Sequence, residues 1–116
     1  MLYGKETKKA LDNFPISGIT MPTDFIHSLA MIKRACAVAN AKQGKLDAAL
    51  SEAITAAATD VINGEYDDEF VLDVFQTGSG TSTNMNMNEV LSELCKIKYG
   101  VKVHPNDHVN MSQSSN

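Results

Sequence analysis

Between Gln76 and Val90 the chain gathers short polar side chains: Gly78-Ser79-Gly80-Thr81, the hydroxyls of Ser82 and Thr83, and the amides of Asn84, Asn86 and Asn88. Glycine lets backbone N–H groups approach a ligand closely, Ser and Thr add compact donors, and the start of a following helix favours negative charge. Such a loop can grip a carboxylate or phosphate without a formal charge. A nucleotide loop fits poorly, because the Gly-Lys-Ser/Thr ending is missing and Thr83 stands where a dinucleotide fingerprint needs its third glycine. The same composition also suits an ordinary surface connection. A second polar cluster runs from His104-Pro105-Asn106-Asp107-His108-Val109-Asn110 to Ser112-Gln113-Ser114-Ser115-Asn116. Taken alone, His104 and His108 read as surface or capping histidines and Asp107 as a turn or N-cap carboxylate.

Helices must carry these clusters. A short polar helix is expected from about Lys5 to Asn13, ended by Pro15, and further helices over residues 24–42, 47–62 and 84–99. In the first long helix Phe25, Leu29, Ile32, Cys36 and Ala39 recur at alternating intervals of four and three and read as the packing face, with Lys33 and Arg34 off it. Gly44 and Asn63-Gly64 are stops. Leu50, Ile54, Ala57, Ala58, Val61 and Ile62 form the next apolar face, and the alanines at 53 and 56–58 invite close approach by a neighbour. In the last helix Met85, Val90, Leu91, Leu94 and Ile97 fall mostly on one side. Phe70–Phe75 suits either a strand or a short buried helix, Gly100 caps, and Val101–Val103 is extended.

With 116 residues, 43% of them apolar and 21% charged, there is material for one soluble domain with one core. A net charge of −4 and the lack of a Lys/Arg run argue against general nucleic-acid binding and point to a small molecule or protein partner. No apolar run approaches the roughly 20 residues of a membrane span, and the start lacks the layout of a secretion signal, so a cytoplasmic or organelle-matrix setting is expected. Glu65–Glu69 is acidic but lacks a calcium-loop pattern. Cys36 and Cys95, without metal-ligand spacing, read as free buried thiols. Neither a metal nor a cofactor is expected.

Thr77-Gly78-Ser79-Gly80-Thr81, Asn84-Met85-Asn86, Asn88-Glu89-Val90, His104-Pro105-Asn106-Asp107-His108-Val109-Asn110 and Ser112-Gln113-Ser114-Ser115-Asn116, in this order, resemble the N-terminal part of class II fumarate hydratases, in the fumarase and aspartase superfamily. Leu2-Tyr3-Gly4, Asn13-Phe14-Pro15-Ile16-Ser17-Gly18 and Asp68 with Phe70 extend the likeness over essentially the whole chain. Ser79, His104 and Ser115 are the variants typical of fumarases; aspartases tend to Ala, Asn and Thr. Met111 departs from the family's usual Lys, and the spacer from Val90 to Val103 is short.

The resemblance implies a small, mainly α N-terminal domain of the fumarase and aspartase fold, with few or no short strands, residues 1–116 being that domain of a longer lyase. It implies reversible hydration of fumarate to L-malate by a homotetramer in the cytoplasm, or the mitochondrial matrix of a eukaryote. Aspartase, argininosuccinate lyase or a non-enzymatic structural protein on this fold are the alternatives. Ser79, Gly80, Thr81, Ser114, Ser115 and Asn116 would bind substrate, and His104, Pro105, Asn106 and Asp107 would form an accessory dicarboxylate site. In the family the catalytic serine loop and its supporting His and Lys lie far downstream, so no catalytic residue is expected here and the 116-residue chain alone should be inactive. Fixed neutral donors suit a dicarboxylate whose charge grows as a proton leaves the adjacent carbon.

Overall fold

The longest helices stop where the sequence runs into glycine. Gly44 and Gly64 have φ of +73° and +85°, a left-handed turn that L side chains resist. Beyond each, a backbone amide reaches back to a helix carbonyl, Lys45 N–H to Asn40 at 2.9 Å and Glu65 N–H to Asp60 at 3.4 Å, so the helix ends are satisfied internally. The computed structural model describes residues 2–13, 22–70 and 81–113, apart from the side chains of 10–13 and 81. Among them are α1 (Lys5–Asn13), α2 (Thr23–Lys42), α3 (Ala48–Ile62), α4 (Thr81–Ile97), a 3-10 turn over Asp67–Glu69 and a π-helical turn over Pro105–Val109. There is no strand among the described residues, and the mainly helical expectation holds. The connection at 14–21, the loop at 76–80, the undecided stretch 71–75 and Ser114–Asn116 lie outside the described residues.

Asp47 starts α3, its carboxylate accepting from Ala49 N–H at 3.4 Å. The short link 43–47 folds α3 back against α2. The two run antiparallel, since Ser51 Oγ donates to the Ala37 carbonyl at 3.0 Å while Arg34 donates to Thr59 Oγ1 at 3.2 Å. Of the alanines expected to admit a neighbour, Ala53, Ala57 and Ala58 are buried and Ala56 is half-buried. Helix α4 packs across α3, α2, α1 and the π-helical turn. Its Val90, Leu91 and Leu94 are fully buried, together with Met87 and Cys95, whereas Ile97 is 61% exposed. The helix begins three residues before the expected 84, because the hydroxyl-rich 81–83 joins its first turn.

The face expected of α2 is wrong. Phe25 and Ile32 are 48% and 55% exposed, Ala39 is exposed, and Leu29 and Cys36 are half-buried. The buried set is Ile26, Ala30, Lys33, Ala37 and Asn40. These residues follow the same four-three alternation one position along, so periodicity allows both stripes and ranking by hydrophobicity picks the other. The small Ala30 and Ala37 allow close packing, while Lys33 and Asn40 meet polar partners brought by other segments.

Candidate functional site

His104 stands at the entrance of the π-helical turn. Its Nδ1 accepts from the N–H of Asn106 at 3.1 Å and of Asp107 at 3.0 Å, capping the turn. The His104 carbonyl accepts from His108 N–H and, one residue further, from Val109 N–H at 3.2 Å, and Pro105 likewise receives Asn110 N–H at 3.1 Å. These five-residue steps are what widens the turn. His108 Nδ1 accepts from His104 N–H at 2.9 Å, so the His108 ring fixes the backbone at the entrance of the turn while the His104 ring caps its first amides. An Nδ1 that accepts twice leaves Nε2 as the donor of the neutral ring. Asp107 is exposed, with its carboxylate 3.7 Å from His104 Nδ1. The capping reading of the histidines is therefore the observed geometry. His104 and Pro105 also wall two open cavities. One, of about 370 Å³, is completed by Ser92, Glu93, Lys96, Lys102, Val103 and His108. The other, of about 440 Å³, is completed by Lys5, Glu6, Met85, Glu89 and Asn106.

A polar cluster lies between α2, the start of α4 and residues 110–113. Lys33, 1% exposed, donates from Nζ to Asn84 Oδ1 at 2.6 Å, Gln113 Oε1 at 2.8 Å and Asn110 Oδ1 at 3.0 Å. Asn84 and Asn88 donate to the same Asn110 oxygen at 3.0 and 3.3 Å, and Asn40 donates to the Met111 carbonyl at 3.1 Å. Asn88 Oδ1 is buried without a partner among the described residues. Burial pushes the Lys33 ammonium down to about 8, the nearby Cys36 offsetting part of the shift. Lys33, one position off the packing stripe expected of α2, is among its buried residues. The available signal was its place in the alternation Ile26, Ala30, Lys33, Ala37, Asn40.

Elsewhere, the α4 residue Glu89 reaches across to the start of α1. Its carboxylate accepts from Gly4 N–H at 3.0 Å, Glu6 N–H at 3.2 Å, Thr7 N–H at 3.1 Å and Thr7 Oγ1 at 2.7 Å. Sequence spacing could not find this contact, because local capping rules look within a few residues and Glu89 lies more than 80 positions away.

Of the expected substrate-binding residues, Ser79, Gly80, Ser114, Ser115 and Asn116 lie outside the described residues, as does the Thr81 side chain. Their immediate neighbours are brought together. Asn84 sits one turn beyond Thr81, Gln113 immediately precedes Ser114, and both oxygens meet at Lys33 Nζ. The arrangement presents neutral amides around one buried cation, chemistry suited to fixing polar segments and not to proton transfer by a carboxylate or imidazole.

A family model described as lyase matches residues 1–116. The chain is 53% identical to the class II fumarate hydratase of Xylella fastidiosa over 99% of its own length and 24% of that protein's. It is 51% identical to the class II fumarate hydratase of Corynebacterium glutamicum, again over 99% of this chain and 24% of the relative. The chain thus spans about a quarter of the length of the curated relatives it matches. Among solved structures, the recombinant class II fumarase of Schistosoma mansoni superimposes with a TM-score of 0.92 at 47% identity, covering 98% of this chain and 26% of that one. A fumarate lyase:delta crystallin from Brucella melitensis does so with 0.94 at 41% identity, covering 98% and 28%. Matched along its whole length, the chain belongs to this lyase family.

Proposed function

We propose that this chain is the N-terminal, substrate-binding domain of a longer fumarate hydratase catalysing reversible hydration of fumarate to L-malate. The observation that carries the reading is the junction of two motif flanks, Asn84 from the Gly-Ser-Gly-Thr side and Asn110 with Gln113 from the Ser-Ser-Asn side, on one buried lysine. Relatives named class II fumarate hydratase at about half identity agree with it, as do the fumarase-type Ser79, His104 and Ser115.

In this reading Ser79, Gly80, Thr81, Ser114, Ser115 and Asn116 bind the dicarboxylate. Loss of a proton from the carbon beside a carboxylate drives charge onto that carboxylate, and fixed N–H and O–H dipoles stabilise it where no water need reorganise. The general base comes from outside residues 1–116, in a homotetramer of the longer chain in the cytoplasm. His104, Pro105, Asn106 and Asp107 form an accessory dicarboxylate site, beside a cavity that Lys96 and Lys102 also line.

Ultraviolet loss of fumarate tests the reading. The longer enzyme should hydrate fumarate without ammonia or arginine, and the 116-residue chain should show no turnover. Ammonia-dependent chemistry would assign an aspartase instead, and turnover by the homogeneous chain would misplace the catalytic groups.

A further inference from the structure

We propose that Lys33 is a positioning residue for the dicarboxylate site, its ammonium setting the separation between the first turns of α4 and the segment 110–113. The proposal rests on the functional reading of Thr81 and Ser114–Asn116 given above. Three N–H bonds on Nζ meet three amide oxygens from two segments far apart in the chain, Asn84 on one and Asn110 with Gln113 on the other. A neutral amine has only two N–H bonds, so the full set requires the charged form. A buried cation is an inefficient way to gain stability, since an apolar side chain of similar volume avoids the desolvation penalty. What an ammonium adds is a point of convergence. The segment it holds needs holding: Ser112 adopts a left-handed backbone at φ 64°, uncommon for a residue with a Cβ. Asn110 Nδ2 closes that turn on the Gln113 carbonyl at 3.3 Å, and Gln113 Nε2 ties it back to the Val109 carbonyl at 2.9 Å.

The consequence for catalysis is geometric. Asn84 lies one helical turn from Thr81, and Gln113 is bonded directly to Ser114, so a shift at the lysine passes to both halves of the substrate wall. Misplacement of positioning groups by about 1 Å can cost on the order of a hundredfold in rate. Cys36 on α2 is the ionisable group that acts on Lys33; α4 and 110–113 present amides to it, and α3 contributes no ionisable influence among the described residues.

The test uses the longer enzyme with Lys33→Met and Lys33→Gln. At pH 7 each variant should assemble and melt near the parent yet lose about tenfold to a hundredfold in kcat/KM, mostly in kcat. The parent-to-variant activity ratio should shrink as pH rises through about 8, where the parent gives up its third N–H. Groups that titrate in both proteins cancel in that ratio, and with both proteins assayed well below their melting temperatures a merely stabilising role of Lys33 would not move it. Activity within about threefold of the active parent would overturn the proposal, as would a ratio independent of pH, or loss of assembly in both variants. A parent that fails to hydrate fumarate would instead bring down the functional reading, and the proposal with it.

Discussion

Replacing Glu89 should release α1. A helix leaves its first N–H groups without intrahelical partners. In α1 Glu6 and Thr7 offer such groups, and the carboxylate that takes them belongs to α4. Four bonds at 2.7–3.2 Å converge on it, three from backbone N–H groups and one from the Thr7 hydroxyl. Glu6 is exposed and its amide can turn to water when the carboxylate goes, whereas Thr7 is 0% exposed and cannot. Orphaning a buried donor costs about 1–3 kcal/mol, and the N-terminal dipole loses its counter-charge for roughly a further 0.3–1 kcal/mol. Glu89→Ala should therefore loosen α1 by about 3 kcal/mol, and Glu89→Gln, which keeps one acceptor, by about half as much. Hydrogen exchange at the Glu6 and Thr7 amides reads this locally, and about 3 kcal/mol corresponds to exchange faster by roughly two orders of magnitude. Gly4→Ala should produce a milder form of the same change, since its Cβ would sit 2.6 Å from Glu89 Oε2 and force the carboxylate aside. Thr7 protection that is unchanged in Glu89→Ala would refute the capping argument.

Lys33 also predicts a pH dependence of stability. Its folded pKa of about 8 lies below the ordinary 10.5, so the folded state holds fewer protons between those values. The associated destabilisation, roughly 3 kcal/mol, is fully present below pH 8 and is relieved as pH rises toward 10.5. Urea unfolding of parent and Lys33→Met across that window should show the parent gaining on the variant; a constant difference would contradict the burial argument. Cys95, fully buried and with its thiol pushed up to about 12 by burial, should resist a thiol reagent at pH 8 until the 116-residue chain unfolds, while half-buried Cys36 reacts first. Equal labelling rates for the two thiols in the folded chain would place Cys95 outside the core.

The motif order alone carried the family, and the local stops at Gly44, Gly64 and Gly100 carried most of the helix ends, because turn chemistry acts over a few neighbouring residues. The middle of the expected α4 face was legible, as Val90, Leu91 and Leu94 outrank their neighbours in hydrophobicity on a single stripe, while Met85 is only half-buried and Ile97 exposed at its ends. On α2 two adjacent stripes share one spacing, so the period left the rotation of the helix open. Only the small-residue contact with α3 and the amides waiting at 84, 110 and 113 decided that Ala30, Lys33 and Ala37 turn inward and Phe25 and Ile32 outward. The jobs of Lys33 and Glu89 were invisible in the sequence because their partners arrive from 51 to 85 positions away, and such contacts exist only once the chain has folded.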